Sequence, residues 1–221
     1  MSSIFTSSIG KKLVMSLAGI FLILFLLVHL TINLLVIIFD DPMVFNKAAH
    51  FMSSNILIKI FEIVLFGGIL LHVIYALVLQ VQNWIARPKR YNKANFSNTS
   101  FFSKFMIHTA VITLVFLAIH FVDFYFKAKF GHAAEIMVDG VAYHDFAREL
   151  EDKFNILPFV IFYVAAFIFL GFHLIHGFQS AFKTLGIDNK KYTPAIQVLA
   201  IIYSVVVVAG FSLIPLLMYF M

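Results

Sequence analysis

Cysteine is absent from this chain of 221 residues. Its absence excludes thiolate-bound iron–sulfur clusters, covalently attached c-type haem and any disulfide within the polypeptide. Charged residues are also scarce, at 12% of the sequence, whereas a soluble domain has about 25%. The chain also has no glycine-rich nucleotide-binding motif following a strand. Hydrophobic residues make up 62% of the sequence, so we expect an integral membrane protein.

Five long apolar segments account for most of this hydrophobicity. A helix of about 20 apolar residues crosses the bilayer core, and the pattern therefore predicts membrane spans at residues 13–39, 56–82, 104–127, 156–182 and 195–220. Segments of this length exclude the short alternating strands of an outer-membrane barrel. No cleavage motif of small residues follows the first segment, which we interpret as an uncleaved span. We predict an all-α integral membrane protein, with residues 1–221 forming one transmembrane domain.

The basic residues are distributed unevenly among the loops. If the amino terminus is cytoplasmic, ten of the 16 Lys and Arg residues lie on that side, with Asp188 as the only acid: Lys11, Lys12, Arg87, Lys89, Arg90, Lys93, Lys104, Lys183, Lys190 and Lys191. Cytoplasmic loops of membrane proteins are enriched in Lys and Arg. We therefore expect a cytoplasmic amino terminus and an external carboxyl terminus. This topology explains the net charge of +5 without any nucleic-acid partner.

Each of the first four segments contains a histidine that should lie deep in the membrane: His29, His72, His120 and His173. Counting helical rise from the flanking basic residues puts the first and third of these about 25 Å from the cytoplasmic boundary, and the fourth about 15 Å from it. His72 is near mid-membrane by the same count and joins the inner level by elimination. The sequence thus predicts an outer pair, His29 with His120, and an inner pair, His72 with His173.

Two histidine pairs on facing helices match the needs of two b haems. A six-coordinate haem iron takes one imidazole on each face of the ring, and an imidazole in hydrocarbon is costly unless something binds it. Gly68 and Gly177 are each four residues from an inner histidine, so they share its helical face and could leave room for a flat macrocycle, although helix packing explains them equally well. We therefore expect the bundle to enclose two haems that carry electrons across the membrane.

Other polar residues in the spans are weaker candidates. His176 lies one turn from His173, and His108 lies near the cytoplasmic edge of its helix, so either could contact a haem or form only a structural hydrogen bond. Glu62 and Asp123 are expected near the outer face, where a carboxylate could exchange protons with a quinone or simply be hydrated. The remaining histidines are expected at the solvated surface of the outer loops: His50, His132 and His144.

Several motifs resemble the single-chain dihaem cytochrome b anchor (b558 type) of succinate dehydrogenases and fumarate reductases. They are VHLTIN at residues 28–33, FNKAAHFM at 45–52, LHVIY at 71–75, IHF at 119–121 and GFHLIHGF at 171–178. The motif at residues 45–52 is the most specific of them.

The resemblance implies a five-helix anchor in the bacterial cytoplasmic (inner) membrane. It implies that His29 and His120 bind the iron of the distal haem b, and that His72 and His173 bind that of the proximal haem b. The implied partners are a flavoprotein and an iron–sulfur protein on the cytoplasmic side, a membrane quinone, usually menaquinone, and the lipid bilayer; a dimer of the whole complex is compatible with it. The presence of His176 leaves open which imidazole of the fourth helix binds iron.

Two other functions are compatible with parts of this pattern. A dihaem anchor of a hydrogenase or formate dehydrogenase would need the same four histidines, but the motif at residues 45–52 disfavours it. A transporter could instead line a proton or metal path with the histidines and Glu62. In any of these roles the chain cannot oxidise succinate itself, and the quinone step is its expected share of catalysis.

Overall fold

The computed structural model of the protein describes residues 7–86, 101–131 and 133–220, and only the backbone at 101–104. Five of the described helices are long and apolar enough to cross a membrane. Their bounds are Ser8–Ile38, Ile56–Ile85, Phe105–Lys129, Leu157–Thr184 and Thr193–Phe220. The prediction of an all-α membrane protein with five spans is confirmed. Four of the ten basic residues used for the orientation lie outside the described residues: Arg87, Lys89, Arg90 and Lys93. His132 and the side chain of Lys104 also lie outside them.

The elements follow one another as ten helices and strands, counting those of the described residues. They are α1 (Ser8–Ile38), α2 (Pro42–Ser54), α3 (Ile56–Ile85), α4 (Phe101–His120), α5 (Phe126–Lys129), β1 (Glu135–Val138), β2 (Val141–His144), α6 (Phe146–Phe154), α7 (Leu157–Thr184) and α8 (Thr193–Phe220). A π-helical turn, Phe121–Tyr125, joins α4 to α5 without a break. The third span therefore consists of α4, the π turn and α5.

The helices begin where polar side chains satisfy free backbone N–H groups. Asp41 precedes α2 and accepts a hydrogen bond from the N–H of Met43, and Asn55 does the same for α3 through the N–H of Leu57. Side chains of this kind replace the missing intrahelical acceptors of the first turn. Short polar residues between apolar runs thus divide the chain into separate helices.

The connectors at one end of the bundle form a folded cap, defined as α2, β1, β2 and α6. The two strands pair antiparallel, with Val138 opposite Val141, across a turn at Asp139 and Gly140. Both turn residues have positive φ, 51° and 79°, which is the conformation that a two-residue hairpin turn requires and that glycine adopts at low cost. The cap contacts α1, α3, α7 and α8, so it covers one end of the helices.

Helix α8 packs closely against both α7 and α1. A Cβ atom on Gly171 of α7 would lie against Val208 of α8, and one on Gly210 of α8 would lie 2.9 Å from Leu30 of α1. Small residues let membrane helices approach this closely. Helix α3, in contrast, has no buried residue and packs mainly against α1 and α2.

Candidate metal centres

The histidines of α1 and α4 face each other near the cap. The ring centroids of His29 and His120 are 5.8 Å apart, and their planes are nearly perpendicular, at 83°. Phenylalanine rings surround this cap-side pair at centroid distances of 5.3–5.7 Å: Phe25 and Phe211 beside His29, Phe116 and Phe124 beside His120. The pair is therefore enclosed by aromatic side chains.

The histidines of α3 and α7 form a second pair with similar geometry. The centroids of His72 and His173 are 6.3 Å apart, and their planes meet at 80°. His72 lies beside Gly19 of α1, where an added Cβ would be 3.4 Å from the imidazole carbon Cε1. Gly19 precedes His29 by ten residues in the same helix, so this far-side pair lies about 15 Å further from the cap along the helix axis.

Both separations are close to those of two imidazoles bound to one metal ion. A metal–imidazole bond is about 2.0–2.1 Å long and the ring nitrogen lies about 1.1 Å from the ring centroid, so two imidazoles on opposite sides of one ion have centroids about 6.2 Å apart. Among the described residues, no group of three or more His, Cys, Asp or Glu side chains is placed to hold a metal ion. Zinc sites in proteins have three or four side-chain ligands. Each pair alone would therefore supply two ligands to an ion and leave its other positions to a bound group.

The helices that carry each pair are not closely packed against each other. In the described part of the chain, α4 packs mainly along α7 rather than α1, and α3 packs mainly along α1 rather than α7. The two imidazoles of each pair therefore meet where the backbones of their helices make few contacts. Beside His173, a Cβ on Gly177 would have no atom within 4 Å, whereas one on Gly68 would contact the ring of Phe21 at 3.5 Å. Gly177 thus borders open space, and Gly68 allows packing between α3 and α1.

In each pair, one of the two imidazoles has a polar contact at a ring nitrogen. In the cap-side pair the side-chain amide nitrogen of Asn33 lies 3.4 Å from Nδ1 of His29. Nδ1 of His72 lies 3.3 Å from the carbonyl oxygen of Met15, to which it donates when protonated, leaving Nε2 as the free donor atom for a metal. Nδ1 of His120 is buried and has no hydrogen-bond partner among the described residues, and the same holds for Nδ1 of His173. Burying a ring nitrogen without a hydrogen bond costs free energy. A ligand or hydrogen-bond partner at these two atoms would remove that cost.

The other predicted histidines lie away from these two ring contacts. The ring of α7 that faces His72 is that of His173, whereas His176 has no described hydrogen bond or ring contact. His108 is exposed on α4, with its ring 6.0 Å from that of Phe105. In the cap, His50 contacts the ring of Tyr143, and His144 lies 3.8 Å from Glu135 across the hairpin.

The two carboxylates singled out in the sequence belong to separate clusters on either side of the π turn. Glu62 of α3 accepts a hydrogen bond from the hydroxyl of Tyr125 and pairs with Lys129 at 3.1 Å. We call these three residues the Glu62 cluster. The side chains of Glu62 and Lys129 are 26% and 53% exposed, so this cluster is open at the rim of the bundle.

Asp123 lies in a more enclosed arrangement. One carboxylate oxygen accepts a hydrogen bond from Nζ of Lys153 at 2.6 Å, and the other accepts one from the hydroxyl of Tyr163 at 2.7 Å. The Asp123 and Lys153 side chains are only 12% and 15% exposed. We call these three residues the Asp123 cluster. It connects the π turn with α6 and α7.

The polar partners of both carboxylates were missed in the sequence. Tyr125 and Lys129 are more than 60 residues from Glu62, and Lys153 is 30 residues from Asp123. Pairs at such distances have no periodic signal in one sequence. Gly19 was also missed, although a glycine within an apolar helix is a recognisable sign of close packing.

Comparisons of the chain with protein-family models, with curated proteins and with solved structures returned no match.

Proposed function

We propose that this chain is the dihaem cytochrome b membrane anchor of a succinate:quinone oxidoreductase, a succinate dehydrogenase or a fumarate reductase. The observation that carries the proposal is the pair of facing imidazoles found twice, at two levels, on four of the five membrane helices. Two histidine pairs alone do not distinguish one dihaem anchor from another. The choice of complex is supported by the motifs that resemble those of the b558-type family.

The four histidines would hold two b haems, which when bound supply one-electron carriers within the membrane. His29 and His120 would bind the iron of the haem near the cap, and His72 and His173 that of the second. The backbone carbonyl of Met15 orients His72, and the aromatic rings around His29 and His120 exclude water. Two sites about 15 Å apart along the helix axis suit transfer of electrons from one face of the membrane to the other.

The orientation expected from the Lys and Arg bias puts the cap outside and the far-side pair toward the cytoplasm. An iron–sulfur protein with its flavoprotein would then dock at the cytoplasmic ends of the helices, closest to the far-side pair. At the outer end, the Glu62 cluster is the more accessible carboxylate group beside the bundle. We propose that it exchanges protons with a membrane quinone, for which menaquinone is the expected species, because Asp123 has both oxygens engaged.

The haem assignment is tested on the purified protein. We expect a dithionite-reduced minus oxidised difference spectrum with a b-type α band and a pyridine haemochrome value of two haems per chain. A protein without visible absorbance would contradict the proposal and favour a transporter. One haem per chain would contradict the two-site interpretation.

The assignment to a succinate:quinone oxidoreductase needs a separate test. We expect a tagged chain, extracted from membranes in mild detergent, to bring down a flavoprotein and an iron–sulfur protein whose complex couples succinate oxidation or fumarate reduction to a menaquinone analogue. Recovery with hydrogenase or formate dehydrogenase subunits would contradict this assignment and leave the haem sites in place. Replacement Glu62→Gln should lower quinone turnover while both haems are retained.

A further inference from the structure

The π turn begins immediately after His120. A π-helical turn is a wider, less common form of the helix and often occurs at functional sites. Here the N–H of Phe126 donates to the carbonyl of Phe121, and α5 then continues the helix. The position of the His120 backbone therefore depends on whatever holds this turn in place.

The Asp123 cluster holds the turn from two directions. Lys153 reaches Asp123 from α6 in the cap, with its ammonium group 4.1 Å from the centroid of the Phe159 ring. Tyr163 reaches it from α7 and is only 2% exposed. Both carboxylate oxygens are used, so Asp123 has one defined position relative to α6 and α7.

Tyr163 also acts on the His120 ring by a second route. Its ring packs edge to face against Phe116 with centroids 5.3 Å apart, and Phe116 in turn stacks on His120 at 5.7 Å. Tyr163 thus contacts both the residue that covers the imidazole and the turn that follows it. Neither contact touches His29.

Within the described part of the chain, no hydrogen bond to the His120 ring is found, and its Nδ1 is buried without a partner. Metal-binding histidines usually donate their second N–H to a carbonyl or carboxylate, which fixes the ring. His72 has such a partner in the Met15 carbonyl. The orientation of His120 must therefore come from packing and from the backbone turn.

A largely buried ion pair such as that of Asp123 and Lys153 is weak evidence for a role in stability. Removing two charges from water costs free energy that their attraction often only recovers, and well-packed apolar residues usually stabilise such a position equally well. In this cluster, the hydrogen bonds to both carboxylate oxygens give Asp123 a defined geometry relative to α6 and α7.

We propose that Asp123, Lys153 and Tyr163 are positioning residues for His120, taking the place of the hydrogen bond that orients His72. The inference rests on the proposed function, since it concerns the imidazole that would bind the haem nearest the cap. It reassigns Asp123 from proton exchange to ligand orientation. The chemistry at the iron is unchanged, and the cluster determines the plane in which His120 presents its nitrogen.

The test uses electron paramagnetic resonance of the oxidised dihaem protein. Nearly perpendicular imidazole planes keep two iron d orbitals close in energy and give a strongly anisotropic low-spin signal, which shifts when one ring rotates. His29→Ala and His72→Ala identify the signal of each haem by its loss. We expect Lys153→Gln and Tyr163→Phe to shift the cap-side signal and the midpoint potential of that haem, with the far-side signal unchanged.

Two further variants serve as controls. Lys153→Arg keeps the charge and should retain the original signal. Lys127→Gln breaks a different ion pair with α6, that between Lys127 and Glu149 at 3.7 Å, and should change neither haem. If Lys153→Gln does not accumulate in the membrane, Tyr163→Phe, which loses one oxygen atom, decides the question.

An unmoved cap-side signal in a variant that retains both haems would overturn the positioning role and leave the proposed function intact. Equal shifts of both signals would also overturn it, because they would indicate general loosening of the bundle. Absence of any b-type spectrum from the unchanged protein would instead overturn the proposed function itself.

Discussion

The two histidine pairs have nearly the same geometry and very different surroundings. Their centroid separations differ by half an ångström and their interplanar angles by three degrees. The cap-side pair is surrounded by phenylalanine rings and lies beside two charged clusters. The far-side pair lies where α3 has no buried residue, and it has one hydrogen bond from a ring nitrogen to the backbone.

The comparison shows two kinds of surroundings in which a pair of facing imidazoles is positioned. Near the cap, the Asn33 amide lies beside a ring nitrogen of His29, and phenylalanine packing and the Asp123 cluster lie next to His120. Further from the cap, the Met15 carbonyl and Gly19 contact His72. We therefore expect substitutions near one pair to leave the other largely unaffected.

The largest effect is expected from replacing the histidines themselves. His29→Ala or His120→Ala should remove the cap-side haem, and His72→Ala or His173→Ala the far-side haem, because each iron would lose one of its two protein ligands. The pyridine haemochrome value should fall from two haems to one per chain in every case.

His176→Ala is the matched control for the fourth helix and should retain both haems. Loss of a haem from this variant, together with retention in His173→Ala, would reverse the assignment of the ligand on α7. Loss of both haems from any single variant would show that the two sites do not fill independently.

The next effect concerns the space beside His72. Gly19→Leu should displace the imidazole, because a Cβ there already lies 3.4 Å from Cε1 and the rest of the side chain would overlap the ring. We expect loss of the far-side haem in the difference spectrum and retention of the other. Gly67→Leu on α3, where a Cβ would have no atom within 4 Å, should keep both. Retention of both haems in Gly19→Leu would mean that α1 does not constrain His72.

A smaller effect is expected at the connection between α2 and α6. The side chain of Asn46, only 1% exposed, donates to Asp145 and accepts the N–H of Ala147, so it joins the two cap helices. Asn46→Ala should cost about 1–3 kcal/mol of stability, because buried polar groups lose their partners. Thermal unfolding should start at a lower temperature, with the cap-side haem released first.

The adjacent exposed residue provides the control for this prediction. Lys47→Ala should leave both the unfolding temperature and the haem content unchanged, because Lys47 lies at the surface of α2. Simultaneous release of both haems from Asn46→Ala would indicate that the cap supports the whole bundle rather than one pair.

The smallest effect is expected between the two levels. The hydroxyl of Tyr203 on α8 donates to the carbonyl of Ile23 on α1 at 2.7 Å. Tyr203→Phe should cost about 0.6 kcal/mol, the average for a hydrogen bond between membrane helices. The thermal midpoint should fall slightly while both haem spectra stay the same. A shift in either spectrum would show that this bond also positions a histidine.

Much of the fold could be predicted because its signals are local. Hydropathy located all five spans to within a few residues, and a two-residue Asp-Gly sequence between valines is a hairpin signal that the sequence contains at 138–141. The small elements of the cap were treated as connectors because each is short and only its contacts with other segments stabilise it. The motif at residues 45–52 was recognisable in the sequence. The hydrogen bonds that Asn46 of this motif makes with residues at the start of α6 could not be predicted from it.

The sequence by itself determined the membrane character, the number of spans and the presence of one deep histidine in each of the first four, since hydropathy and helical rise depend only on neighbouring residues. The tertiary structure decided which side chains surround each imidazole: Gly19 and the Met15 carbonyl beside His72, and the contacts of Asp123 with Lys153 and Tyr163 next to His120. These partners are 30 to 57 residues apart in the chain, and only the packing of helices brings them within hydrogen-bond distance.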